Sequence, residues 1–208
     1  MEKLRSGGGS AAERRLQDEL GSCERAERFY ERQVLDHLNE RMRAFARRQQ
    51  LVFVATADRA GACDNSFRGG PPGFIQVLGP RLLAYPEYRG NGVMASLANI
   101  AENPHIGLIM IDFLDDVIGL HVNGRAAIAE DADLRRRHPD VTVDPSPGRR
   151  PERWVTVEVD EAYIHCPKHI PQFARVPRAR FWRPRQRVRR NGGDFFRVTA
   201  ADRERSAG

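Results

Sequence analysis

The amino-acid sequence predicts a mainly β protein with flanking helices, in which six antiparallel strands form a barrel. Three observations predict this class. After residue 50 the chain consists of short apolar runs separated by Gly, Pro and Asp, most of these runs are joined by short turns, and a single helical segment interrupts them. A layered α/β sheet would need a helix after most strands, so an antiparallel barrel fits the pattern better.

The elements follow in order along the chain. Apolar residues at helical spacing in the polar N-terminal arm, 1–50, predict two helices separated near Gly21-Ser22, with Ser22 capping the second. A helix within the barrel is predicted over 93–102, and the polar, proline-containing stretch 131–151 is predicted to be a mobile loop. The six predicted strands are 51–57, 74–78, 81–85, 106–113, 118–130 and 154–164.

The net charge of +6 is concentrated in one segment. Between Gln172 and Gly208 eleven arginines face three acidic residues, which gives this segment +8 and leaves −2 on residues 1–171. The sequence pI near 9.8 invites a nucleic-acid interpretation. Because prolines interrupt the basic segment and it lies outside the barrel, we expect an extension that meets a partner subunit or an anionic ligand, and no nucleic-acid partner. The predicted domains are therefore an arm (1–50), a barrel (51–171) and an Arg-rich extension (172–208).

Composition also argues against two other classes of protein. The longest apolar run, 106–111, is far shorter than a bilayer span, so we expect no membrane partner. The three cysteines, Cys23, Cys63 and Cys166, are odd in number and lack CxxC spacing. A disulfide framework is not expected, and a reducing cytoplasm fits this cysteine usage.

A glycine-rich turn follows the third predicted strand. Residues 90–95, GNGVMA, match the G-x-G-x-x-A pattern of dinucleotide sites, but such folds need several βαβ units and this chain offers one. An anion site remains, in which Arg89 and the N–H groups of a helix N-terminus bind a phosphate. A turn of purely structural role, with Arg89 in solvent, is the alternative.

A second unusual stretch, 65–74, places Gly-Gly-Pro-Pro-Gly directly after Arg68. A strand that breaks in this way permits close approach of the backbone to a ligand, although a bulge or loop is the commoner reason for it.

Several motifs in order carry a resemblance to a known family. RGGPPGF (68–74), Y-x-x-Y-R-G-N (85–91), a helix ending in ENP (102–104), the strand HIGLIMIDF (105–113) and EAYIHCPKHIP (161–171) resemble the pyridoxamine 5′-phosphate oxidase-like family of FMN-binding split β-barrels. The resemblance spans roughly residues 50–172. It implies an FMN-dependent oxidoreductase that acts on a small-molecule substrate as a homodimer, with FMN bound at the subunit interface.

The resemblance also implies roles for individual residues. The cofactor-binding residues would be Ser66, Phe67, Arg68, Gly69, Tyr85, Tyr88, Arg89, Asn91, Ser96, Asn99, His165 and Cys166, the last two from the C-terminal segment and possibly from a partner chain. The catalytic candidates are Arg68, Tyr88 and His169. Where many members carry Ser-Arg-Lys this chain has Arg-Gly-Asn-Gly, and it lacks their Arg-Leu-x-Pro ending. The resemblance therefore does not extend to vitamin B6 oxidation.

Three alternatives stay open from the sequence. The same barrel could hold the deazaflavin F420 in an F420-dependent reductase, or it could belong to a non-enzymatic haem- or flavin-binding protein. His165, Cys166 and His169 could begin a zinc site, but His105, His121 and His138 are scattered in sequence and supply no second cluster, so no metal is expected.

Overall fold

The computed structural model describes residues 9–175. The chain divides into two units, Met1–Pro171 and Gln172–Gly208, and only residues 172–175 of the second are described. The interpretation of the Arg-rich extension therefore lies almost entirely outside the described residues. No helix within residues 9–175 combines the length and apolarity needed to cross a membrane.

Seven antiparallel strands form one sheet in the order β2-β1-β5-β6-β7-β4-β3. Register shifts between Asn123 and Gly124, and between Glu87 and Tyr88, mark irregularities in the ladders. At Gly124 a Cβ atom would lie only 2.0 Å from the carbonyl oxygen of Glu158, so only glycine fits there. The strands are β1 (Leu51–Ala57), β2 (Cys63–Gly69), β3 (Gln76–Val77), β4 (Leu82–Tyr88), β5 (His105–Ile111), β6 (Gly119–Ala129) and β7 (Pro151–His165).

The fold class predicted from the sequence is confirmed, with one strand more than expected. The additional strand is β2, whose seven residues all pair with β1. Its composition, CDNSFRG, is too polar to give an apolar run, because it is the edge strand of the sheet and is only half covered. The predicted strand 74–78 shrinks to the two residues of β3, and β4 continues to Tyr88.

The N-terminal arm contains three helices where the sequence predicts two: α1 (Ala11–Glu19), α2 (Cys23–Gln33) and α3 (Glu40–Arg48). Ser22 occupies the N-cap position of α2, but its side chain makes no capping hydrogen bond, contrary to the expectation. The chain leaves helical geometry after α2 because Leu35 pairs with Ala162 of β7 and Leu38 is fully buried in the core. The Asn39 side chain then caps α3 by accepting a hydrogen bond from the Met42 N–H.

The helix within the barrel, α4, runs from Ala95 to Glu102. It begins two residues later than predicted because Gly92 and Met94 have positive φ angles of 84° and 58°. The turn that precedes it is therefore irregular.

The segment 131–151 is not entirely the loop that the sequence predicts, because it opens with a helix, α5 (Asp131–Arg137). Leu134 of this helix is fully buried against Trp154 in a second apolar cluster on the outer side of β4 and β7. The Trp154 indole N–H donates to Asp131 Oδ1 at 2.8 Å. Burial of one leucine thus stabilises a helix that polarity alone does not predict.

The main core lies inside the barrel. Val52 and Val54 of β1, Val122 of β6 and Val157 of β7 are fully buried there. Since β2 and β4 are far apart in the order of the sheet, the barrel closes between them through side chains and not through a ladder.

Candidate functional site

The side chains that join β2 to β4 are Arg68 and Glu87. Strand β4 points Leu83, Tyr85 and Glu87 into the barrel at alternate positions. The Arg68 Nε–H donates to both carboxylate oxygens of Glu87, at 2.8 and 3.0 Å, and Nη1 donates to the Phe67 carbonyl at 3.1 Å. Glu87 is 8% exposed, so an acidic and a basic group form an ion pair at the edge of the core.

Burial and the arginine act on Glu87 in opposite directions. Burial raises the pKa of the Glu87 carboxyl group, the Arg68 hydrogen bonds and charge lower it, and the net pKa lies above the ordinary value.

Tyr85 lies beside this pair in the core. Its side chain is fully buried, and among the buried side-chain N and O atoms of the described residues its hydroxyl alone lacks a hydrogen-bond partner. Burial, and then the charge of Glu87, raise the pKa of Tyr85. An unpaired polar atom in a core is costly, and it marks the end of the barrel at which Arg68 and Glu87 meet.

The turn between β4 and α4 presents Arg89 to solvent. Within residues 9–175 Arg89 has no hydrogen-bond or ion-pair partner. The Asn91 side chain accepts a hydrogen bond from the Val93 N–H at 3.0 Å and so stabilises the turn. A guanidinium group with no internal partner is available to an anion.

A cavity of about 930 Å³ lies next to this turn. Its volume is in the range of small-molecule sites. Tyr88, Met94 and Leu97 give it an apolar side, and Glu87 reaches it from the barrel interior. Three arginines also line it, namely Arg89, Arg150 and Arg153.

Three further predicted site residues are already hydrogen-bonded to neighbours inside the subunit. The Ser66 and Ser96 hydroxyls lie 2.9 Å apart, and Ser96 also donates to Asp64 Oδ2 at 3.0 Å. The Asn99 side-chain amide donates to Thr56 Oγ1 at 3.1 Å. These bonds join α4 to β2 and β1, so the three side chains position the helix in this structure.

Tyr88, Phe67 and Gly69 lie near the same end of the barrel. Tyr88 is half-buried, burial raises its pKa, and the Arg149 guanidinium lies 5.9 Å from its ring centre. Phe67 is 57% exposed on the outer side of β2. Gly69 leaves room for the Phe67 ring, which a Cβ atom there would meet at 3.1 Å.

The predicted C-terminal site residues lie elsewhere. In the ladder between β4 and β7, Arg153 lies opposite Glu87, whereas His165 ends β7 twelve residues later. At about 3.3 Å per residue this corresponds to roughly 40 Å along the strand. His165, the exposed Cys166 and the exposed His169 are therefore not brought to the cavity within one subunit.

His165 instead meets a histidine that is distant in sequence. His121 Nε2 lies 2.9 Å from His165 Nδ1, and the His121 ring stacks on Tyr163 with 4.7 Å between ring centres. Burial and the neighbouring His165 lower the pKa of His121. In the part of the chain that the structure describes, no three or more His, Cys, Asp or Glu side chains are grouped to hold a metal ion.

Sequence reasoning missed Glu87, Arg153 of β7 and Arg150, which directly precedes that strand. For Glu87 a signal exists, because it occupies an inward position two residues after Tyr85 in an otherwise apolar strand. Arg150 and Arg153 carry no such signal, since only the pairing of β4 with β7 brings them to the turn.

These features define a class of protein: an antiparallel barrel closed by side chains, with a cavity beside the β4–α4 turn that arginine, acidic and apolar side chains line. The model of the pyridoxamine 5′-phosphate oxidase family matches residues 38–166. The chain belongs to this family. No curated protein matches the sequence significantly.

Several solved structures are similar to this chain, at low identity and low TM-score. HupZ from Group A Streptococcus is 20% identical with a TM-score of 0.41, and the match covers 61% of this chain and 92% of HupZ. General Stress Protein 26 from Bacillus anthracis is 16% identical with a TM-score of 0.42, over 64% of this chain and 95% of that one. HutZ, the haem storage protein from Vibrio cholerae, is 13% identical with a TM-score of 0.40, over 62% and 94%.

Proposed function

We propose that this protein is an FMN-dependent oxidoreductase that acts on a small-molecule substrate. The observation that carries the proposal is the cavity beside the β4–α4 turn, where Arg89 has no partner among residues 9–175. Four acidic side chains also line this cavity, and three of them, Glu87, Glu130 and Asp131, are already paired with arginines. This donor set fits FMN, because guanidinium groups bind a phosphate and Tyr88, Met94 and Leu97 suit a flat ring. Membership of the family supports the same cofactor.

The roles of the residues follow from their places around the cavity. Arg89 and the Asn91-stabilised turn would bind the phosphate, with Arg150 adding positive charge. Arg68, with Ser66, Phe67 and Gly69 of β2, would border the ring at the barrel edge, where Arg68 would stabilise negative charge. Tyr88 would contact the substrate or the ring. FMN, when bound, supplies the two-electron chemistry, and the protein orients it and excludes water.

The dimer that the proposal includes is supported by the outer face of the sheet. Directly paired residues form a continuous row across five strands. Phe67 packs edge-on against Phe53 at 5.9 Å between ring centres, and Phe67 remains 57% exposed. An aromatic side chain this exposed at the end of an apolar row is typical of an association surface. The row consists of Phe67, Phe53, Ile109, His121 and Tyr163.

A second copy would also account for the separated site residues. His165, Cys166 and the catalytic candidate His169 lie some twelve strand residues from the cavity in one subunit, so the partner subunit would have to supply them. The site would then be incomplete in a monomer.

We expect Phe67→Asp to dissociate the dimer, because it places a charge in an apolar contact. Sedimentation should give about twice the 23.6 kDa chain mass for the wild type and the monomer mass for the variant. The control is Leu20→Asp at the C-cap of α1, which changes another exposed apolar residue, 76% exposed, outside the row. A monomeric wild type would contradict the dimer.

Titration of the purified protein with FMN tests the cofactor. Uptake with micromolar or better affinity is expected, seen as a change in flavin absorbance and fluorescence. Parallel titrations with F420 and haem decide between the alternatives. No response to FMN and a response to F420 would replace the cofactor but keep the redox function, whereas no response to either would exclude both.

Haem binding is a second candidate because of the contact between His121 and His165. Their rings lie on the outer face with nitrogens 2.9 Å apart, and neutral imidazole is a common haem ligand. A Soret band that appears on haem addition and is lost in His165→Ala would favour this non-enzymatic carrier or sensor.

A further inference from the structure

We propose that Glu87 is a positioning residue that sets the charge of the cavity wall through Arg68, so that the site binds anions more tightly when Glu87 is protonated. This inference rests on the proposed function, in which an anionic cofactor occupies the cavity. It concerns a residue that is neither a phosphate ligand nor a part of the glycine-rich turn.

The geometry gives Glu87 control over Arg68. Both carboxylate oxygens accept from Nε of Arg68, and this contact fixes where the guanidinium group lies between β2 and β4. The Phe67 carbonyl holds Nη1 at 3.1 Å. No partner of Nη2 is recorded among residues 9–175, so that nitrogen is available to a ligand.

The charge of the pair depends on one proton. With Glu87 ionised the pair is neutral, and with Glu87 protonated it carries the single positive charge of Arg68. Because Glu87 itself lines the cavity, an entering anion meets a wall that is more positive by one charge when Glu87 is protonated. Proton uptake by Glu87 and anion binding therefore favour each other.

The surroundings of Glu87 support a carboxyl group that changes its protonation state. It is 8% exposed, and burial raises its pKa more than Arg68 lowers it. Arg68 faces it from β2, and Tyr85 lies two residues before it on β4, with a hydroxyl that has no hydrogen-bond partner among residues 9–175. The other charged groups of the cavity are Arg89, Glu130, Asp131, Arg150, Glu152 and Arg153. Two of the acids are already paired, Glu130 with Arg153 and Asp131 with Arg135.

The test compares FMN affinity between pH 5.5 and 8.5 for the wild type, Glu87→Gln and the control Glu152→Gln. Glutamine keeps an oxygen that accepts from Arg68 Nε but cannot ionise. At pH 8.5 we expect Glu87→Gln to bind FMN about five- to tenfold more tightly than the wild type, the scale of one partly screened charge. The two curves should converge as the pH falls. The FMN phosphate also titrates in this pH range. This changes the FMN affinity of every variant by the same factor, so it cancels in the ratio of two affinities.

The outcomes separate the inference from the proposed function. Weaker binding by Glu87→Gln at every pH, in parallel with the wild type, would assign Glu87 a structural role only and overturn the inference while FMN binding stands. Enhancement in Glu152→Gln equal to that in Glu87→Gln would overturn it as well, because it would reflect general cavity charge.

A second measurement needs no cofactor. Since the pKa of Glu87 is raised in the folded state, the unfolded chain loses this proton first as the pH rises. The ligand-free wild type should therefore lose stability relative to Glu87→Gln from the ordinary glutamate pKa upward, until Glu87 ionises in the folded protein. A stability difference that does not change with pH would overturn the inference even if the protein binds no FMN.

Discussion

Replacing Arg89 with alanine is expected to weaken FMN binding by about 1.5–3 kcal/mol, which is roughly 10- to 150-fold in Kd. This is the range for a hydrogen bond that involves a charged group. Arg89 is exposed and has no partner within the described residues, so its replacement removes no internal contact. The folded protein should keep its stability, and the loss should be specific to the ligand.

Two controls sharpen this expectation. Arg59→Ala removes another exposed arginine, in the β1–β2 turn outside the cavity, and should leave FMN affinity unchanged. Riboflavin, which lacks the phosphate, should bind the wild type and Arg89→Ala equally. If Arg89→Ala binds FMN as well as the wild type does, the phosphate site lies elsewhere, with Arg150 and Arg153 as the next candidates.

The part of the site that sequence reasoning found is the part that is local in the chain. Arg89, Asn91 and the helix that follows lie within one short stretch, so a glycine-rich turn after a strand is enough to indicate an anion site. The antiparallel fold was predictable for the same reason, because short turns join most strands. Two positive φ angles, at Gly92 and Met94, delay the start of α4. A glycine in the sequence indicates that a positive φ angle is possible, whereas a methionine does not.

The parts that were missed depend on contacts between distant segments. Glu87 meets Arg68 only because the barrel closes between β2 and β4, which are not neighbours in the sheet. His121 is far from His165 in sequence, yet the pairing of β6 with β7 places His121 Nε2 2.9 Å from His165 Nδ1. The sequence does not predict the edge strand β2, because its residues do not form an apolar run. A polar face of β2 packs against α4 through Ser66 and Ser96. Pairing of this kind is a property of the tertiary structure, which spacing along the chain does not encode.

Removal of one member of the Arg68–Glu87 pair has the largest expected effect on stability. We expect Arg68→Met to lower the free energy of unfolding by about 3 kcal/mol at pH 8, because it leaves a buried carboxylate without its partner. Methionine retains most of the apolar stem of arginine, so the loss reports on the charge and the hydrogen bonds more than on packing. Urea unfolding followed by fluorescence would measure it.

The pH dependence of that loss distinguishes an uncompensated charge from a packing defect. Without Arg68 the pKa of Glu87 should rise further, so the carboxyl group is protonated to a greater extent at pH 5.5 than at pH 8 and the penalty shrinks as the pH falls. The double variant Arg68→Met, Glu87→Gln should likewise recover much of the lost stability at pH 8, because neither buried position then carries a charge. A loss that persists at pH 5.5 and in the double variant would instead assign Arg68 to packing between β2 and β4. In that case the barrel would be closed by the volume of the side chain, and the charge pair would make little contribution to the stability of the fold.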